Sequence, residues 1–249
     1  MIPALNEAEN IGRCVASAAA LQPGWGGPVE VLVVDGGSED ATTALAASAG
    51  ARVLASPAGR GRQLRCGTEA ATGDIVLMLH ADTSLDAAAG QQLAIALDDP
   101  KVGCGAYRQS IEGGETRFRL LEWGNALRAR RFGMPYGDQA IFVRRELLTR
   151  VGGVPGVPLM EDVALMQRLR REAWPVLLPG PLRVSARRWR KHGVVGQTLT
   201  NWCLVLAYTL GISPTRLAKW YRPNRPKRQA ALLQQRLDRR AAELVEHGG

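Results

Sequence analysis

The sequence predicts an α/β fold: a mostly parallel, doubly wound central sheet with helices on both faces. Short apolar runs of strand length, "VEVLVV" and "DIVLML", alternate with segments whose apolar and small residues recur at helical spacing, "IGRCVASAAALQP" and "SEDATTALAASAG". Both strand-like runs lead into an aspartate, Asp35 after the first and Asp82 after the second. Open sheets of this class keep their ligand crevice at the carboxyl ends of the strands, where those two carboxylates stand.

Taken in order, only Met1 and Ile2 precede "PALNE", so the first strand is expected in shortened form, with either a native start upstream of Met1 or a weakened sheet. The first helix and the strand "VEVLVVDGG" complete a β-α-β opening. Ser38 is placed to cap the next helix, with acidic residues in its first turn and Gly50 near its end. "ARVLASP" reads as a strand, "GRQLRCGTEAAT" as a helix, and "DIVLMLHAD" as a buried strand ending in chemistry. Beyond it come a helix in "QQLAIALDDP", a strand in "VGCGAYRQSI", an amphipathic helix in "RLLEWGNALRARRF", and a strand then helix in "QAIFVRRELLTRVGG". From residue 185 the chain turns basic in "SARRWRKHG", then runs into an apolar helix and a charged tail. These shifts divide the chain into a main domain over 1–185, a basic and apolar segment over 186–226 suited to a lid or membrane-surface element, and a helical tail over 227–249. There is no internal repeat.

The chain has 249 residues, nearly half of them apolar, enough to bury a sizeable core. A net charge of +9, carried mostly by arginine, points to an acidic partner: nucleotide phosphates, nucleic acid or an anionic membrane. Nucleic acid has charge alone in its favour, since aromatics are scarce and no nucleic-acid motif is present, so no nucleic-acid partner is expected. Four cysteines stand far apart with no C-x-x-C pair, which argues against a zinc site or a disulfide framework and for a reducing, cytoplasmic compartment. The longest apolar run, "WCLVLAYTLGI", falls short of the ~20 residues of a membrane crossing. It reads as a packed or interfacial helix, with peripheral contact at the inner membrane face through the basic and apolar C-terminal region.

Several residue groups carry chemistry. Asp35, before Gly36 and Gly37, can accept a hydrogen bond from a base N–H or a ribose hydroxyl while the glycines let the backbone approach; its ordinary reading is a turn aspartate. "DGGSEDAT" is not the G-x-G-x-x-G fingerprint, which disfavours a nicotinamide cofactor. Arg60, Arg62 and Arg65 sit on a glycine-punctuated segment, either as a mobile clamp for a diphosphate or as a solvated helix face. Asp82 offers hard carboxylate oxygen to a divalent cation, and His80, two residues earlier, can share its face on an extended chain. In "MED", Asp162 reads either as a general base for an acceptor hydroxyl or, with Glu161, as an acidic complement to a helix start. Asp138 and Gln139, at a strand entrance, are candidates with Glu161 for hydrogen-bonding a polyol. Arg187, Arg188, Arg190, Lys191 and His192 gather around Trp189; the arginines can hold phosphate or lie on anionic lipid, and His192 either joins Asp82 on a metal or is structural.

In order, "IPALNEAENI", "VVDGGSEDAT", "GRGRQLRCGTEAATGDIVLMLHADT", "GDQAIFVRREL" and "PLMEDVALMQRLRR" resemble glycosyltransferase family 2 over residues 1–171. "HAD" and "SARRW" are also similar to a bacterial subgroup associated with radical-SAM and selenium-domain proteins. The resemblance implies the GT-A nucleotide-diphospho-sugar transferase fold, with a Rossmann-like sheet. It implies that Pro3, Asn6, Glu7 and Asp35 line the nucleotide pocket, that Asp82 holds Mg²⁺ or Mn²⁺, and that Asp162 is the base of an inverting transfer. The implied donor is a nucleotide sugar, with UDP favoured; lipid-like and small soluble acceptors both remain open. The family's usual metal motif has an aspartate where this chain has His80, and a neutral imidazole does not replace that charge. With the shortened first strand and the basic segment, this supports a rival reading as a non-catalytic nucleotide-binding or membrane-surface module.

Overall fold

The computed structural model describes residues 1–187, 189 and 193–221. The tail expected over 227–249 lies outside these residues, as do Arg188, Arg190, Lys191 and His192. Strands β1 (Ile2–Ala4), β2 (Leu32–Asp35) and β3 (Arg52–Ala55) pair in parallel, with Ile2, Pro3 and Ala4 opposite Val33, Val34 and Asp35. Between them run α1 (Ile11–Ala19), the short α2 (Gln22–Trp25) and α3 (Thr42–Ser48). Helix α1 forms because Ile11, Cys14, Val15 and Ala18 fall on one buried face. Helix α3 starts at Thr42 behind Ala41, so Ser38 is not its cap, because its hydroxyl is used in the preceding turn.

The short first strand leaves the sheet intact. The Met1 nitrogen donates to the Leu77 carbonyl at 2.8 Å, and the Leu79 N–H donates to the Met1 carbonyl at 2.9 Å. These bonds join the parallel strands to β4 (Ile75–Met78) and hence to a five-stranded sheet of order β4-β7-β6-β8-β5. Here β5 is Thr83–Leu85, β6 Cys104–Ile111, β7 Ile141–Arg144 and β8 Val176–Val184. Strands β6 and β8 are parallel, while β7 runs antiparallel to β4 and β6, and β5 antiparallel to β8.

Helices α4 (Arg60–Ala70), α5 (Ala88–Leu97), α6 (Thr116–Phe132), α7 (Arg145–Arg150) and α8 (Glu161–Glu172) clothe the sheet. Adjacent residues of β2 supply opposite layers: Val33 packs with Ile2, Ile11, Tyr107 and Phe142, and Val34 with Leu64, Val76, Met166 and Leu169. The last described helices, α9 (Val194–Thr209) and α10 (Pro214–Trp220), pack through Leu204 and Leu217 onto Met160 and Val163 at the head of α8. No helix among the described residues is long and apolar enough to cross a membrane.

Candidate active site

At the carboxyl ends of β1 and β2 two loops are laced together. The Asn6 N–H donates to Ser38 Oγ at 2.9 Å, and Asn6 Oδ1 accepts from the Glu39 N–H at 2.8 Å. The Glu7 N–H donates to Thr42 Oγ1 at 2.8 Å and the Ala8 N–H to Asp40 Oδ2 at 3.2 Å. Asn6 is left-handed (φ +54°), a conformation its short amide side chain tolerates better than most. Asp35 accepts from the Gly37 and Ser38 N–H groups through Oδ2 and from the Ser38 hydroxyl through Oδ1. It is thus a turn aspartate first, with one of roughly four acceptor positions left for a ligand. Pro3 lies in the β1–β2 ladder opposite Val34, and Asn6, Glu7 and Asp35 stand at the end of that ladder.

Gln63, unremarked in the sequence, ties this corner to α4. Its amide nitrogen donates at 2.8 Å to both Ala4 O and Val34 O, tying the ends of the two strands together beside the bond from the Gly36 N–H to Ala4 O. A buried glutamine inside a helix carries no signal in one sequence.

Arg60, Arg62 and Arg65 are not on a mobile loop: "RGRQLRCGTEA" is helix α4, beginning at Arg60 itself. Arg65 pairs with Glu69 at 3.0 Å on the exposed face. Arg62 is exposed. Arg60 instead turns inward, with Nε 3.0 Å from Glu161 Oε1 and Nη2 4.0 Å from Asp162 Oδ2. Burial would lower the Arg60 pKa, but Glu161, then Asp162, Asp138 and Asp82, more than offset it and raise it. Burial likewise pushes the Glu161 carboxyl up, with Arg60 pulling the other way. Arg60 crosses Gly137 so closely that a Cβ there would stand 1.7 Å from Nη2, so a larger residue would push the guanidinium aside.

Asp162, at the head of α8, accepts from the Gly137 N–H through Oδ2 and from the Val163 N–H through Oδ1, both at 2.8 Å. These bonds fix the carboxylate and leave acceptor capacity on each oxygen. Asp162 shares a cavity of about 10 Å³ with Arg60, His80, Gly137 and Glu161, floored by apolar side chains such as Leu64, Met78 and Leu165, and Asp82 does not line it. His80 and Asp82 stand on the tight turn between β4 and β5, held where the Thr83 hydroxyl and the Cys14 thiol both donate to the His80 carbonyl. His80 Nδ1 is 3.9 Å from Asp82 Oδ1, and the two side chains are partly accessible. No cluster of three His, Cys, Asp or Glu suited to a metal occurs among the described residues. A carboxylate with one adjacent imidazole nevertheless fits a hard cation that retains water and takes phosphate oxygens as its other ligands. His192, the expected further ligand, lies outside the described residues.

Asp138 and Gln139 occupy a 3-10 turn, Gly137–Gln139. Gln139 is fully buried, and its Oε1 accepts from Arg128 Nη2 at 2.7 Å and the Tyr136 N–H at 3.1 Å. It therefore braces the turn rather than presenting that oxygen to a polyol. Arg128, missed in the sequence, lies over the Tyr136 ring at 3.4 Å and also bonds Met134 O and Asn125 Oδ1. Asp138 Oδ1 is buried without a partner, as is Gln139 Nε2. Arg187 spends its charge on Glu9 at 3.1 Å and Glu7 at 3.8 Å instead of standing free for phosphate. Arg188 lies outside the described residues.

A parallel half-sheet, a mixed half-sheet, and carboxylates gathered at the strand ends define a GT-A-like architecture. The glycosyl transferase family 2 model matches residues 1–152, and the chain belongs to that family. Glu161 and Asp162 lie just past the match. An uncharacterized glycosyltransferase of Mycobacterium tuberculosis is 38% identical over 99 residues, covering 39% of this chain and 42% of that protein. The chain therefore spans less than half of that relative. Among solved structures, glucosyl-3-phosphoglycerate synthase from M. tuberculosis, in complex with Mn²⁺, UDP and glucosyl-3-phosphoglycerate, superposes with a TM-score of 0.55 at 22% identity, covering 85% of this chain and 79% of that one. A mannosyltransferase from Pyrobaculum calidifontis, in complex with GDP-mannose and Mn²⁺, gives 0.55 at 22% identity, covering 74% and 55%. At these identities the likeness is one of fold.

Proposed function

We propose that the protein transfers a sugar from a nucleoside diphosphate donor, UDP-linked by preference, to an acceptor hydroxyl with inversion. The observation that carries this reading is the single cavity shared by Asp162 and His80, with Asp82 close enough to act on Arg60. The laced loops at Asn6 and Asp35 would seat the nucleoside, and the solved relatives with UDP or GDP-mannose support that assignment. Asp82, with His80, would hold Mg²⁺ or Mn²⁺, whose charge neutralises the departing diphosphate. Asp162 accepts the acceptor's proton as its oxygen attacks the anomeric carbon from the face opposite the leaving group. Arg60 keeps Glu161 and Asp162 from repelling one another in the partly dry cavity. Membership of the radical-SAM-associated subgroup would rest on "HAD" and "SARRW", and a lipid-like acceptor on the apolar helix α9.

Nucleotide binding is tested by thermal unfolding with UDP and GDP, with and without Mn²⁺, since a ligand bound only to the folded state adds about 2.7 kcal/mol at a hundred times its Kd. Asp82→Ala should erase the Mn²⁺-dependent part of the shift. Asp162→Asn should keep the shift and lose about 10²- to 10⁴-fold in transfer from a panel of UDP-sugars. Full transfer in both variants overturns the assignment. The rival, a non-catalytic module, requires binding without turnover.

A further inference from the structure

Helix α6 has two working faces. Its inner face buries Phe118, Glu122 and Ala129. The same side sends Asn125 to Gln109 Oε1 at 2.8 Å and Arg128 to Gln139, bracing the turn whose Gly137 N–H holds Asp162. Its outer face leaves Leu120 68%, Trp123 60% and Leu127 45% exposed, at i, i+3 and i+7, with Phe132 58% exposed at the end. Arg130 and Arg131 flank this stripe and make no hydrogen bond or ion pair among the described residues. The helix has one carboxylate, Glu122, which is buried and bonded to the Ile111 N–H and Arg119. Close to its C-terminal end, Met134 and Tyr136 pack with Leu204, Val205 and Tyr208 of α9. That helix exposes Leu199, Trp202, Leu206 and Leu210, again one stripe, and residues 193–221 contain no Asp or Glu at all.

We propose that the outer face of α6 docks the protein onto an anionic lipid surface, Leu120, Trp123 and Leu127 entering the headgroup boundary and Arg130 and Arg131 meeting lipid phosphates. Leucine and tryptophan flanked by unpaired arginine is the composition of helices that lie in the plane of such an interface. The charge pattern selects lipid over a second copy of this chain: an isologous contact through α6 would set cations against cations with no carboxylate to answer them. The consequence for the site follows from the shared helix. Lipid on the outer face would stand one helix diameter, roughly 10 Å, from the elements that brace Asp138 and Asp162 on the inner one. An acceptor hydroxyl carried on a lipid would then reach the cavity without leaving the membrane. This last step rests on the transferase reading; the docking itself does not.

The test uses the full chain and needs neither donor nor acceptor. Co-sedimentation with phosphatidylcholine vesicles is compared with vesicles containing 30% phosphatidylglycerol, together with quenching of tryptophan fluorescence by brominated lipid. Binding to the anionic vesicles that weakens with salt is expected, with quenching reduced in Trp123→Phe. Each arginine near an anionic surface adds roughly fivefold in binding, so Arg130→Gln with Arg131→Gln should cost about 25-fold. Leu120→Asp with Leu127→Asp should abolish binding. The arginine pair, exposed and unpartnered, keeps the test valid if the leucine variant unfolds. Equal binding of the arginine variant and the parent, absence of binding to anionic vesicles, or a dimer in solution dispersed by these same substitutions overturns the proposal.

Discussion

Replacing Arg60 by alanine leaves Glu161, 3% exposed, as an uncompensated buried carboxylate. At 3.0 Å, and with an effective dielectric constant of about 20, the lost attraction is roughly 5.5 kcal/mol. The protein has a cheaper escape, because Glu161 can take up a proton. From an ordinary value of 4.5, protonation at pH 7 costs about 3.4 kcal/mol, and at pH 5 only about 0.7 kcal/mol. The smaller number governs and is a ceiling, since burial already raises Glu161 in the parent, so Arg60→Ala should lose up to about 3 kcal/mol at pH 7 and under 1 kcal/mol at pH 5. The sign follows from linkage: without Arg60 the folded-state pKa of Glu161 rises further above its unfolded value, so the folded form binds more protons and the variant's stability falls as pH rises from about 5 to its new pKa. Urea unfolding at half-unit steps between pH 5 and 8 measures this. In heat the pH 7 deficit corresponds to a midpoint lowered by roughly 6–12 °C. Adding Glu161→Gln to Arg60→Ala should remove most of the pH dependence, since no charge is then buried. A deficit independent of pH, or one that the second substitution leaves unchanged, refutes the reasoning.

Two further predictions concern the interior. Gln63→Leu removes two hydrogen bonds, to the Ala4 and Val34 carbonyls, while the Ala4 carbonyl keeps the Gly36 N–H; at about 0.5–1.5 kcal/mol net for each bond it should destabilise by about 1–3 kcal/mol. Hydrogen exchange should then quicken at the Gly36 and Ser56 amides, which close the same corner. Burial raises the Cys14 and Cys104 thiols to about 12, so in the native protein they should resist a thiol reagent at pH 8, while exposed Cys203 reacts first. Denaturation should release all four at comparable rates.

The alternating half of the fold was legible because β2 is buried at all four positions, and therefore on both faces, and the strands there alternate with helices such as α1 that have their own apolar face. The later half was not. Strand β5 is three residues, Thr83–Leu85, too short for any period to register. Strand β8 contains Pro179 and Pro181, which cannot donate to a ladder, and its pairing with β6 shifts between Tyr107 and Gln109 to pass them. A clasp unseen in the sequence holds that irregularity, with Gln92 Nε2 donating to Gly180 O and the Gly180 N–H donating back to Gln92 Oε1. Within the site, strand ends and helix starts led to the expectation that Asp82 and Asp162 face one cavity; Asp162 lines it with His80, and Asp82 stands beside His80 without lining it. The partners of the cations were not legible: a string of arginines reads alike whether it meets solvent, as Arg62 does, or turns inward, as Arg60 does, and only the far-off "MED" decides between them.

The lacing of the first two loops has a kinetic corollary. Because Asn6, Glu7 and Ala8 are already clasped to Ser38, Thr42 and Asp40, a nucleotide bound there as proposed would meet a rim that is ordered before it arrives. Little ordering entropy is left to spend on arrival. Discrimination among guests would accordingly be written in how long each one lingers, with capture rates nearly alike.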